Sequence, residues 1–123
     1  VRSAEASVLE RIEARLHRLF AEIGERRQVR FEAGPRFTWA PATMAPRLVA
    51  GLDRAARDLG MATPHVPSGA GHDAAAFAEA GVPSAMLFVR NRNGSHNPHE
   101  SMEIADLDQA IRLLFHFVKG FEA

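Results

Sequence analysis

Ala85-Met86-Leu87-Phe88-Val89 is the most apolar run of the chain, and it leads into Asn93-Gly94-Ser95-His96-Asn97-Pro98-His99-Glu100. The run is short, continuous and bounded by Pro83 and Asn91, which predicts a buried strand over 84–89. Ligands of an open α/β sheet bind at loops that leave the carboxyl ends of strands, and imidazole with carboxylate on such a loop can hold a metal or move protons. The same Asn, Gly and Pro content also makes an ordinary solvated turn. His96 and His99 are separated by a proline, so they do not share one metal from a helix face, and one ligand is expected from the pair.

Upstream lies a second loop, Ser68-Gly69-Ala70-Gly71-His72-Asp73-Ala74. It follows a predicted strand over 61–66, which Pro64 places at an edge or ends early, and opens a short helix over 72–80 that Gly81 and Pro83 terminate. Gly69, Ala70 and Gly71 leave room for a ligand beside the backbone. His72 and Asp73 stand on the first helical turn, where the dipole disfavours imidazolium and leaves a neutral His72 able to donate to a carbonyl or carboxylate. The plainer alternative is that the glycines make a turn and Asp73 caps the helix.

Around these loops the pattern is helical. Pro46 suits the first turn of a helix carrying Leu48, Val49, Leu52, Ala55, Ala56 and Leu59 inward and stopping at Gly60. A C-terminal helix, entered near Asp106, is expected to turn Leu107, Ile111, Leu114, Val118 and Phe121 inward, with His116 packed among phenylalanines. Helix, strand, helix, strand, helix predicts an α/β fold, a helix-layered sheet with parallel strands. A right-handed crossover then brings both loops to one sheet edge, so His72, Asp73 and His96 are expected to share a cleft.

Before residue 46 the organisation differs. Ser3 is the expected N-cap of an amphipathic helix with Val8, Ile12, Leu16, Leu19, Phe20 and Ile23 on one face and Gly24 as its stop. Residues 28–33 alternate as a half-buried strand does. Pro35, Pro41 and Pro46 punctuate an aperiodic stretch read as a domain boundary, with Phe37 and Trp39 packing it down.

Fifteen basic and fifteen acidic residues cancel, and no basic stripe with interleaved aromatics occurs, so neither nucleic acid nor an anionic membrane is expected as a partner. Without cysteine there is no disulfide framework and no thiolate metal site. No apolar stretch approaches membrane-spanning length, and a cytoplasmic location is expected. A chain opening on Val1 rather than methionine suggests a piece of something longer.

Taken together, Ser68-Gly-Ala-Gly-His-Asp-Ala74 and Ser95-His-Asn-Pro-His-Glu100, each flanked by apolar segments, resemble the carboxyl-terminal part of the two-metal peptidase family that includes carboxypeptidase G and aminoacylase. The branch is that of the N-carbamoyl-L-amino-acid amidohydrolases, allantoate amidohydrolases and β-ureidopropionases. The resemblance implies that His96 is the last ligand of a dinuclear zinc or manganese centre. His72 and Asp73 would line the catalytic pocket, with Gly69, Ala70, Gly71 and His72 against the substrate. Glu100 and Asn97 would stand behind the ligand and orient it. The implied reaction is attack of metal-bound hydroxide on a linear amide or ureido carbonyl.

The resemblance further implies that residues 1–40 end an α+β lid used for homodimerisation and that residues 41–123 belong to the metal-dependent catalytic domain. The family's other metal ligands and its general-base glutamate come from an amino-terminal half with no counterpart in this sequence. One histidine is too few for a catalytic zinc, so the isolated chain is expected to be inactive. The competing readings are an aminoacylase- or carboxypeptidase-like peptidase and a non-catalytic self-association module.

Overall fold

Four α-helices form among the described residues, 1–95 and 97–121 of a computed structural model: α1 (Ala6–Arg27), α2 (Pro46–Asp58), α3 (Asp73–Glu79) and α4 (Ile104–Lys119). The chain divides into two compact units. One comprises Val1–Ala42 with Pro67–Gly71, and the other comprises Thr43–Val66 with the residues from His72 onward.

In the first unit, α1 half-buries Val8, Ile12, Leu19, Phe20 and Ile23 while Leu16 stays exposed. Both of its expected ends shift. The helix begins after Glu5, whose backbone N–H donates to Ser3 Oγ at 3.1 Å, so Ser3 braces the approach rather than capping the helix. Gly24 does not stop it, because one interior glycine costs only about 1 kcal/mol and the turn beyond keeps its hydrogen bonds. The helix ends at Gln28, which turns left-handed with φ 56°, and the Val29 N–H returns to the Gly24 carbonyl at 3.1 Å. The following segment then lies back along α1. Phe31 stacks on Phe20 with centroids 4.9 Å apart, and Arg36 Nη2 reaches Glu13 Oε2 at 2.8 Å.

In the second unit, α2 opens on Pro46 and closes through Gly60, which takes φ 67° and lets the Met61 N–H donate to the Ala56 carbonyl at 2.8 Å. This glycine-terminated return is the ending its sequence predicts. Ala55 and Ala56 of α2 meet Leu113 of α4 as the buried core, and Leu52, Met61, Leu87 and Phe117 pack around them. Small residues on α2 let the two helices come close together.

The expected inward stripe of α4 is out of phase. Leu113 is 2% exposed and Phe117 packs beside it, whereas Ile111, Leu114 and Val118 are about half exposed or more. Apolar residues occupy most of the circumference of this helix, so periodicity alone does not select the face. Contact with Ala55 and Ala56 selects it.

The sheet is the main correction. Among the described residues neither 28–33, 61–66 nor 84–89 forms a strand, and the parallel pairing of the last two is not present. The β pairing among the described residues is a single antiparallel bridge between Arg92 and Ser101. Apolar content makes a segment seek burial but does not supply the neighbouring N–H and C=O groups that a ladder requires. Thus Leu87 packs on the core while Phe88 beside it stays 48% exposed, and segment 84–89 takes its recorded backbone bond from Ala45, whose N–H donates to the Ser84 carbonyl at 2.8 Å.

Candidate functional site

The loop that follows Arg90 is closed on itself. Asn93 and Gly94 both turn left-handed, with φ 64° and 71°, the φ pattern of an Asn-Gly reversal. At the base, the Arg92 N–H donates to the Ser101 carbonyl at 2.8 Å and the Ser101 N–H returns to Arg92 at 3.4 Å. Above that base, asparagine side chains tie the outgoing arm to the returning one. Asn91 Nδ2 donates to the Gly94 carbonyl at 3.2 Å and to Glu100 Oε1 at 3.0 Å. Asn93 Nδ2 donates to the His99 carbonyl at 2.9 Å, Asn97 Nδ2 donates to the Asn93 carbonyl at 2.8 Å, and the His99 N–H donates to Asn97 Oδ1 at 2.9 Å.

Two ion pairs fasten this loop to the start of α4. Arg92 Nη2 lies 3.0 Å from Glu103 Oε1, and Arg90 Nη1 lies 3.8 Å from Asp106 Oδ1. Both arginines are largely exposed, so each pair orients more than it stabilises.

His96, the expected metal ligand, lies outside the described residues. Asn97 and Glu100 lie on the returning arm of the loop, and both carry hydrogen bonds to the outgoing arm. His99 is exposed and contributes its backbone to the network.

In the other loop, the Ala70 N–H donates to Ser68 Oγ at 3.1 Å. Gly69 and Gly71 do not take left-handed φ values, and a β-carbon at Gly71 would meet no atom within 4 Å. Turn geometry therefore does not call for glycine at Gly71. The division between units falls between Gly71 and His72. His72 is the N-cap residue of α3, half-buried, with its ring edge-on to Phe88 at 5.9 Å. Asp73 is the first residue of that helix, exposed, and it does not occupy the cap position that the plainer reading gave it. The helix is only seven residues long, so its terminus carries little of the dipole argument. Without a parallel sheet, the shared strand edge expected to join His72, Asp73 and His96 is likewise not present among the described residues.

A family model for peptidase family M20/M25/M40 matches residues 5–120. The chain belongs to peptidase family M20/M25/M40. Among M20 relatives, an N-carbamoyl-L-amino-acid amidohydrolase from Pseudomonas sp. (strain NS671) is 30% identical over 88% of this chain and 25% of its own length. An allantoate amidohydrolase from Escherichia coli (strain K12) is 50% identical over a 48-residue stretch, 38% of this chain and 11% of its own. A crystal structure from Burkholderia cenocepacia, assigned to the amidohydrolase/peptidase class, superposes with a TM-score of 0.82 at 31% identity, over 94% of this chain and 28% of that one. The chain thus spans about a quarter of the length of the Pseudomonas amidohydrolase and of the Burkholderia protein.

Metal chemistry is implied by the family. Among the described residues no three His, Asp or Glu side chains gather as a metal-holding group. They do not by themselves fit a catalytic metal, which takes about three protein ligands. A cavity of about 290 Å³ lies along the α2–α4 seam, lined by Arg47, Arg54, Asp58, His116 and Phe117 among others, and none of the loop residues borders it. His116 holds Asp58 there at 3.4 Å, a role on the protein surface rather than in a phenylalanine core.

Sequence reasoning missed two features. Asn91 and Asn93 count there only as turn composition, although the Asn-Gly dipeptide signals a fixed reversal. His65 was passed over, yet its Nε2 lies 3.0 Å from both carboxylate oxygens of Asp53 and so holds segment 61–66 to α2. No pattern in the sequence marks that pair, because its partners lie on different elements.

Proposed function

We propose that this chain is the carboxyl-terminal part of a metal-dependent amidohydrolase that cleaves a linear amide or ureido C–N bond, as in an N-carbamoyl amino acid or allantoate. The observation that carries the proposal is the pairing of the Ser68–Ala74 and Ser95–Glu100 motifs in a chain matched by the M20 family over residues 5–120. Relatives named for hydrolysis of carbamoyl amino acids and allantoate support that substrate class over peptides.

In this proposal His96 supplies one metal ligand and the remaining ligands come from the part of the longer protein to which this chain does not correspond. A divalent metal in such a centre, zinc or manganese, supplies a water of lowered pKa and a polarised carbonyl. Residues 69–72 border the substrate, His72 and Asp73 stand at the reacting group, and Asn97 and Glu100 steady the ligand loop. Residues 1–40 belong to the lid, through which the protein forms a homodimer. Exposure of Ile104, Ile111, Phe115 and Val118 on α4 suits a chain that is covered by more polypeptide. Among the described residues no helix is long and apolar enough to cross a membrane.

The test is a substrate panel. The full-length protein, with zinc or manganese added, should release ammonia or an amino acid from N-carbamoyl amino acids or allantoate and leave dipeptides intact. Turnover of dipeptides alone would favour the aminoacylase- or carboxypeptidase-like reading, and no turnover of any substrate with metal bound would favour a non-catalytic module.

A further inference from the structure

We infer that Asn93, with Asn91 beside it, is a positioning residue: its side chain and carbonyl join the two arms of the 91–101 loop and so fix the backbone on which the loop's functional groups are carried. Three observations support this. First, Asn93 adopts φ 64°, which an asparagine tolerates far better than most side chains, so the reversal after Arg92 is built into its identity. Second, the returning arm is tied to it at two points, through its Nδ2 to the His99 carbonyl at 2.9 Å and through its own carbonyl to Asn97 Nδ2 at 2.8 Å. Third, Asn97 uses its remaining oxygen on the His99 N–H at 2.9 Å, so residues 93, 97 and 99 form one closed set of hydrogen bonds.

Asn91 completes the frame one layer lower, spanning from the Gly94 carbonyl to Glu100 Oε1. The carboxylate of Glu100 is thereby oriented by a group from the opposite arm. These residues are exposed and lie outside the core of α2 and α4, so the network contributes local order rather than global stability. Groups of this kind matter to a site because a supporting hydrogen bond that holds a ligand loop in place is worth roughly 10–100-fold in metal affinity or activity.

The catalytic consequence rests on the amidohydrolase proposal, whereas the locking of the loop does not, and the experiment separates the two. In the full-length protein, Asn93→Ala, Asn93→Gly and Asn91→Ala are compared with the parent by peptide-resolved hydrogen exchange over 93–103, by melting temperature, and by kcat and KM on the substrate that the parent turns over. Asn93→Ala should raise exchange in this peptide at least tenfold and lower kcat by roughly 10–100-fold, with KM within about threefold and melting unchanged. Asn93→Gly keeps the left-handed backbone and loses only the side-chain donor, so it should show most of the same loss. Full activity and unchanged exchange in Asn93→Gly would overturn the side-chain role. Unchanged exchange in Asn93→Ala would overturn the inference whatever the activity. A parent that hydrolyses nothing would count against the proposed function alone, with exchange still deciding the loop.

Discussion

The α-carbon of Gly51 faces the ring of Phe117, so closely that a β-carbon built on it would lie 2.6 Å from Phe117 Cε2. This contact sets how near α2 and α4 come, because Phe117 is itself held by the Ala55, Ala56 and Leu113 core and by Phe121 at 5.5 Å. Gly51→Ala would ordinarily gain about 1 kcal/mol from helix propensity, but here it overpacks a held ring at a cost of roughly 1–3 kcal/mol. The expected result is a net loss of about 1 kcal/mol in urea unfolding. In a Phe117→Leu background the same change should be neutral or stabilising, giving a coupling energy of about 1–2 kcal/mol in the double-mutant cycle. Stabilisation by Gly51→Ala alone would show that the ring yields freely.

Gln28 offers the opposite case. It ends α1 in a left-handed conformation, φ 56°, that glycine adopts without cost, and its side chain gives back only an exposed hydrogen bond from Nε2 to the Glu25 carbonyl at 2.9 Å. Gln28→Gly should therefore stabilise the protein by about 0.5 kcal/mol, read as a small rise in denaturation midpoint. Gln28→Val should lower it, since a β-branched side chain is strained at positive φ.

These two residues also show how far the sequence could be read. Helices were legible because their signal is local. Apolar spacing, Pro46 and Gly60 identified α2 almost to the residue, and Gly81 with Pro83 ended α3. Where a helix turned or which face it buried was less legible, since Gly24 has the same chemistry as a stop signal and the apolar face of α4 is wide enough to be set in more than one phase. Strands failed for a different reason. Val29, Phe31 and Phe88 have the composition of strand residues, but a strand exists only with a neighbour, and no local rule names the neighbour. Of the 91–101 loop, its turn-forming composition was visible, while the reversal at Asn93-Gly94 went unread and the cross-arm bonds made by Asn91 and Asn93 depend on a loop closure that no local pattern specifies.

Asp53 and His65 give a third prediction. Asp53 is partly buried on α2, and His65 Nε2 sits 3.0 Å from both of its oxygens. His65 is itself two-thirds exposed, so His65→Ala should cost no more than about 1 kcal/mol of global stability. Its effect should instead be local, a faster hydrogen exchange confined to residues 61–66. Equal exchange in the variant and the parent would mean that Met61, packed on the core, holds the segment without help.

The histidines separate the roles in the proposed site. His96 is proposed as a metal ligand, so His96→Ala in the full-length protein should lower bound metal and abolish hydrolysis. His72 differs, since it stands at the start of α3 with its ring against Phe88 and is proposed to meet substrate. His72→Ala should reduce kcat by about 100-fold or more with metal content intact, the range expected for loss of one group acting on the reacting atoms. His99 gives the loop its backbone N–H and carbonyl, which alanine also provides, so His99→Ala should change neither metal content nor turnover by more than about twofold. His116 pairs with Asp58 on the α2–α4 seam, and His116→Ala should leave both readouts unchanged. Metal stoichiometry and turnover measured side by side on these four variants assign each histidine separately, and a fully active, fully metallated His96→Ala protein would remove the loop from the metal centre.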